Sequence, residues 1–124
     1  MRMDNEQSAS DRSRTDRSVI DNAFLILQNQ ERRYALYFLL EHETASLEEV
    51  ADIVTGWPRA SEYGITGRET RDQVLRDLRH RHVPAMAEAG IVDYDEETDT
   101  LSFAPCPPAT RSFVRLACLA ETVP

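Results

Sequence analysis

The sequence predicts a mainly α-helical domain closed by one small β-hairpin, and three observations carry that prediction. Apolar residues recur at helical spacing in four successive stretches up to Gly90. Past that glycine the spacing shortens to strand-like alternation in Ile91-Val92-Asp93-Tyr94, and again in Thr100-Leu101-Ser102-Phe103. A final stretch, 109–120, returns to helical spacing. The order is helix, helix, helix, loop, helix, hairpin, helix. A tri-helical core whose last helix runs into an antiparallel hairpin is the winged helix-turn-helix arrangement, here with extra N- and C-terminal helices.

Each element has its own signal. Residues 1–17 mix charge with Ser and Asn and hold almost no bulky apolar side chain, so they are expected to form a disordered tail. The domain proper is expected over 18–104. Its first helix opens at Ser18, an N-cap with Asp21 at N3, and turns Val19, Ala23, Phe24 and Leu27 to one stripe. Asn29 ends it or caps the next. The second helix, 31–43, is apolar around most of its circumference (Tyr34, Leu36, Tyr37, Phe38, Leu39, Leu40), which places it at the centre of a small fold. Ser46-Leu47-Glu48-Glu49 is a capping box that opens the third, with Leu47, Val50, Ala51, Val54 and Trp57 on its buried face. Gly56 and Pro58 are expected to stop it, and 58–67 to form a loop.

A second capping box, Thr66-Gly67-Arg68-Glu69, opens the fourth helix, whose stripe is Val74, Leu75, Leu78, His82 and Met86. Pro84 cannot donate to the carbonyl of His80, so a kink is expected there. Gly90 suits the left-handed residue after a helix. The hairpin then turns through DEETD at 95–99. Residues 105–124 form a proline-rich connector and a last helix with Phe113, Leu116, Ala117 and Ala120 on one side.

Composition narrows the setting. All 14 basic residues are arginine, against 22 acids, for a net charge of −8 and no lysine. Such a balance suits a cytoplasm rich in potassium chloride, where carboxylates hold hydrated cations and lysine stems would expose apolar surface. No stretch is apolar enough to span a membrane, and 1–17 lack the apolar core of a signal peptide, so a cytoplasmic protein is expected.

The segments ERRYALYFLLEHETASLEEVAD, LRHRHVPAMAEAGIVDYD and TDTLSF, within 18–104, resemble a haloarchaeal winged-helix domain family whose function is mostly unassigned. Here the start reads Asn29-Gln30-Glu31-Arg32-Arg33, one residue longer than in that family. The AGIVDY element at 89–94 is also similar to winged-helix repressors of the arsenic-sensor type. The resemblance implies a transcriptional regulator.

Charge points the same way. Residues 67–90 carry five arginines and four acids, whereas the flanking stretches 31–66 and 91–124 are each net −4. Arg68, Arg71, Arg76 and Arg79 fall away from the core stripe of that helix, and His80 is its candidate polar contact. These five are the expected DNA-binding residues, since arginine can make bidentate contacts to guanine edges or phosphates. The alternative is a solvated face in which Arg71, Asp72 and Arg76, and Asp77 with Arg81, pair along the helix. Asp93, Asp95, Glu96, Glu97 and Asp99 on the wing would repel phosphate, which keeps open a winged-helix protein–protein interaction module without DNA binding.

The expected partners are double-stranded DNA and a second copy of the chain, joined through the first and last helices. His80 and His82 point about 200° apart on a regular helix and cannot chelate one metal. Cys106 and Cys118 make neither a disulfide framework nor a zinc motif. No nucleophile elbow, phosphate-binding glycine loop or zincin motif is present, so no cofactor and no enzyme activity are expected.

Overall fold

A computed structural model describes residues 19–63 and 68–122 of the chain, with side chains outside 57–69. The disordered tail expected over 1–17, the Ser18 cap and the Thr66-Gly67 start of the fourth helix lie outside the described residues. The elements are α1 (19–27), α2 (Gln30–His42), β1 (Thr44–Ser46), α3 (Leu47–Tyr63), α4 (Arg68–Asp77), a π turn (Leu78–His82), α5 (Val83–Glu88), β2 (Val92–Asp95), β3 (Thr100–Phe103) and α6 (Pro108–Thr122). This mainly helical arrangement with its small sheet is that of a winged helix with a helix added at each end.

α2 is the hub. Asn29 caps it, its side-chain oxygen accepting the Arg32 backbone N–H at 3.0 Å. Tyr34, Ala35, Leu36, Tyr37 and Leu39 are all buried, because α2 packs against α3, α6 and β1. In α1 the buried residues are Ala23 and Ile26, so the stripe is rotated from the expected one. Phe24 stays half-exposed, its ring meeting Phe113 of α6 at 5.3 Å between centroids.

The α3 capping box forms as expected: Glu49 N–H donates to Ser46 Oγ and Ser46 N–H to Glu49 Oε1, both at 3.1 Å. Leu47, Val50, Ala51 and Val54 turn into the core. The helix then runs through Gly56 and Pro58 to Tyr63, correcting the expected stop and much of the expected loop at 58–67. Proline in a helix costs its own N–H bond, here the one to Val54, and crowds that carbonyl, and this helix absorbs both.

Pro84 acts upstream of itself. Instead of a simple kink, the chain widens to a π turn over Leu78–His82, where Val83 N–H reaches back five residues to Leu78 O. The wider turn moves the His80 carbonyl away from the proline ring, with which a tight α turn would clash. Leu78, His82 and Met86 still face inward. α5 ends at Gly90 (φ 77°), with Gly90 N–H donating to Ala87 O and Ile91 N–H to Met86 O, both at 3.0 Å. That is a Schellman ending, and its usual apolar contact is available because Ile91 and Met86 are both buried.

The hairpin pairs Val92 with Phe103 and Asp95 with Thr100. A third strand was not foreseen. Thr44–Ser46 pairs antiparallel with β3, giving the order β1-β3-β2 and placing Leu101 opposite Ala45 in the core. β1 therefore ties the wing to the turn between α2 and α3.

Candidate functional site

α4 and the wing hold the residues the sequence singles out. Arg68 opens α4, but its side chain lies outside the described residues. Arg71 turns toward α3, where its Nε donates to Asp52 Oδ1 at 2.5 Å, with Asp72 farther off at 3.9 Å. Arg79 turns toward the wing, and its Nη2 donates to Asp99 Oδ2 at 3.1 Å. Tyr94 donates to the other oxygen of Asp99, which pushes the Tyr94 hydroxyl above the ordinary phenol value. Asp99 adopts φ 55°, a left-handed conformation that Asp tolerates better than most residues. Two ion pairs thus flank the outer face, Arg71 of α4 pairing with the neighbouring helix and Arg79 of the π turn with the wing.

Between those struts lies the outward face. Gln73, Arg76 and His80 are exposed, and Arg81 beside them is exposed too. Arg76 Nη2 donates to Gln73 Oε1 at 2.9 Å, and Gln73 Nε2 donates to Asp77 Oδ1 at 3.1 Å. Asp77 therefore takes Gln73 in place of Arg81. Thr70, Asp72, Gln73 and Arg76 line an open groove along this face. Of the five expected contact residues, Arg76 and His80 share the outer face, whereas Arg71 and Arg79 serve the two flanks. Gln73 and Arg81 are the additional polar residues there. The sequence signal for Gln73 is its place one turn before Arg76 on the same helix.

His82 lies on the other side of the same helix, 1% exposed. Its Nδ1 accepts from Arg32 Nε at 2.9 Å and its Nε2 lies 2.7 Å from Glu31 Oε2. A guanidinium N–H can only donate, so Nδ1 is the bare nitrogen and Nε2–H donates to Glu31. The histidine is a buried strut between α2 and the π turn, far in character from exposed His80. Among the described residues, no three His, Cys, Asp or Glu side chains gather to hold a metal ion.

A third polar cluster anchors α6. Glu121 accepts from Arg33 through both oxygens, at 2.8 and 2.9 Å, and from the hydroxyls of Tyr37 and Tyr34 at 2.8 and 3.3 Å. Arg33 also donates to Leu27 O at 2.8 Å, so one guanidinium joins α1, α2 and α6. Its hydrogen bond is the main reason the Glu121 carboxyl lies below the usual carboxylate range. Burial, then the Glu121 carboxylate, push the Tyr37 hydroxyl up.

This architecture can be set beside known proteins. A model of a domain of unknown function, DUF7344, matches residues 24–102. The chain belongs to the DUF7344 family. The match runs from α1 through β3, so the DUF7344 domain contains α4, the wing and the His82 cluster, while α6 and its Glu121 anchor lie beyond it. No curated protein and no solved structure matches the chain. No helix among the described residues is long and apolar enough to cross a membrane.

Proposed function

We propose that the protein is a cytoplasmic transcriptional regulator that binds double-stranded DNA through the outer face of α4 and the π turn that continues it. The observation that carries this reading is the division of labour along that helix. Val74 and Leu78 seat the helix in the core, Arg71–Asp52 and Arg79–Asp99 flank it, and Gln73, Arg76, His80 and Arg81 stand free of the core between them. Arginine and glutamine are suited to paired contacts with base edges, and arginine also to phosphates. Asp93, Asp95, Glu96 and Glu97 are exposed on the wing and disfavour its entry into a groove. The reading therefore puts the duplex against α4 and keeps the wing tip clear of it. At molar salt the screening length falls to about 3 Å, so affinity rests on short-range hydrogen bonds more than on net charge.

A second copy completes it. Among the described residues, the large apolar side chains left in water are Ile20, Phe24 and Leu25 on α1 and Leu116 and Leu119 on α6, each 42–62% exposed. α1 and α6 meet at the Phe24–Phe113 contact. Ile20, Phe24, Leu116 and Leu119 expose roughly 400 Å² per chain, so a symmetric pair together with a polar rim approaches the ~1,000 Å² of a specific interface. Two-fold symmetry is the commonest way to bury such a surface, and it presents two α4 helices to one duplex. The same patch favours a second reading, in which it docks a different protein and α4 contacts no DNA. Chromatin pull-down of the tagged protein followed by sequencing separates the two. Discrete enriched sites are expected; a uniform background in cells that express the folded protein would remove the DNA reading.

A further inference from the structure

Between α1, α2 and α5 lies a cleft of about 390 Å³ lined by Asn22, Leu25, Ile26, Arg32, Ala85, Glu88 and Ala89. That volume falls in the small-molecule range. Its chemistry is mixed in a particular way. Leu25, Ile26, Ala85 and Ala89 make an apolar wall, and one cation and one anion share the same space. Arg32 spends its Nε on His82, and among the described residues its two terminal nitrogens have no acceptor. Glu88 likewise makes no ion pair among the described residues, with Arg32 or with any other group. Glu88 is exposed and Arg32 half-buried, so the open cleft carries one cation and one anion that do not pair with each other and that a ligand bearing both charges can meet.

We propose that this cleft binds a small apolar α-amino acid. The α-carboxylate takes the terminal nitrogens of Arg32, for which guanidinium geometry is well matched. The α-ammonium takes Glu88, and the aliphatic or aromatic side chain lies on Leu25, Ile26, Ala85 and Ala89. The two half-ligands fit worse for a simple electrostatic reason. A bare carboxylate leaves Glu88 facing a second anion, and a bare amine leaves Arg32 facing a second cation. The zwitterion is also neutral overall, so its binding adds no charge to a protein already at −8.

The site has a mechanical consequence, which rests on the DNA reading of α4. Arg32 holds His82, and α5 continues directly from the π turn that ends α4. A ligand bridging Arg32 and Glu88 fastens α5 to α1 and α2, and so biases the set of the helix that faces DNA.

Binding is tested without DNA, so its failure is separate from any failure of the DNA reading. The isotope-labelled full chain is titrated at constant potassium chloride with L-leucine, L-phenylalanine, 4-methylpentanoate and 3-methylbutylamine, following amide shifts by NMR. At least one amino acid should saturate below about 10 mM, with shifts centred on Asn22, Ile26, Arg32, Ala85 and Ala89. The carboxylate and amine should bind roughly tenfold more weakly or not at all. Glu88→Gln should weaken amino-acid binding by about tenfold, and Ala89→Leu should block it by filling the cleft. Both leave the part-buried Arg32–His82 contact intact, so the test stands even if Arg32→Gln does not fold. Failure of both amino acids to saturate, equal binding of the carboxylate alone, or full binding by Ala89→Leu would overturn the proposal.

Discussion

Glu121→Gln isolates what holds α6 to the rest of the molecule. The side chain keeps its shape but loses its charge and one acceptor oxygen, and its new amide NH2 must face the Arg33 guanidinium. One of the two Arg33 contacts is therefore lost and the other is no longer charge-assisted. Hydrogen bonds to charged groups contribute about 1.5–3 kcal/mol each. Both side chains are about a quarter exposed (22% and 24%), so solvent screening brings the total toward the low end, about 2 kcal/mol. For a chain of this size that is a fall of roughly 8 °C in melting temperature.

The pH dependence gives a second signature. The folded-state pKa of Glu121 is lowered from its ordinary value of 4.5, so its stabilisation is complete above that value and is lost as pH falls through the folded value. Thermal melts by circular dichroism across neutral to acidic pH, at constant salt, follow both quantities. The gap between wild type and variant should be constant near neutrality and close in acid. A fall below about 2 °C at neutral pH, or a gap that persists unchanged at pH near 2, would refute the assignment of Glu121 as the anchor.

Three further outcomes are expected. Gly90→Ala should lower stability by about 1–2 kcal/mol from its left-handed φ alone, because an added Cβ meets nothing within 4 Å; Gly90→Asn should recover part of it in the same melts. Among the described residues the buried Thr55 Oγ1 has no hydrogen-bond partner, so Thr55→Val should be neutral to about 1 kcal/mol stabilising, read from chemical denaturation. With a net charge of −8, helicity and melting temperature should rise as potassium chloride increases across roughly 0.1 to 3 M, followed by circular dichroism.

What the sequence made legible follows the range of the physics involved. Local devices were readable because each is completed within a few residues: the Ser46–Glu49 box, the Gly90 ending and the hairpin around DEETD, with Asn29 legible as a boundary whose capping role the structure decides. β1 was not, since Thr44-Ala45-Ser46 has no alternation of its own and becomes a strand only by pairing with Ser102, Leu101 and Thr100. The passage of α3 through Pro58 and the π turn before Pro84 share a cause. A proline says that one N–H bond is missing, and tertiary packing decides whether the helix stops, continues or widens. At the candidate site, helical angles found the outer face that carries Arg76 and His80. They could not reveal that Arg71 and Arg79 pair with Asp52 and Asp99, 19 and 20 residues away in the chain. His82 was legible as a core residue, but its partners on α2 lie about fifty positions off and only the fold brings them together.

The most direct test of the central claim is fluorescence anisotropy of a labelled duplex, taken from the most enriched pull-down site, against wild type and the Arg76→Ala, His80→Ala double variant in high potassium chloride. Both side chains are exposed and far from the core, so the variant should keep its melting temperature to within about 0.5 kcal/mol of stability. The account predicts saturable binding by wild type and a loss of roughly tenfold or more in the variant, since each good base or phosphate contact is worth about 1–3 kcal/mol. Equal affinity of the two proteins, or no binding by correctly folded wild type, would contradict it.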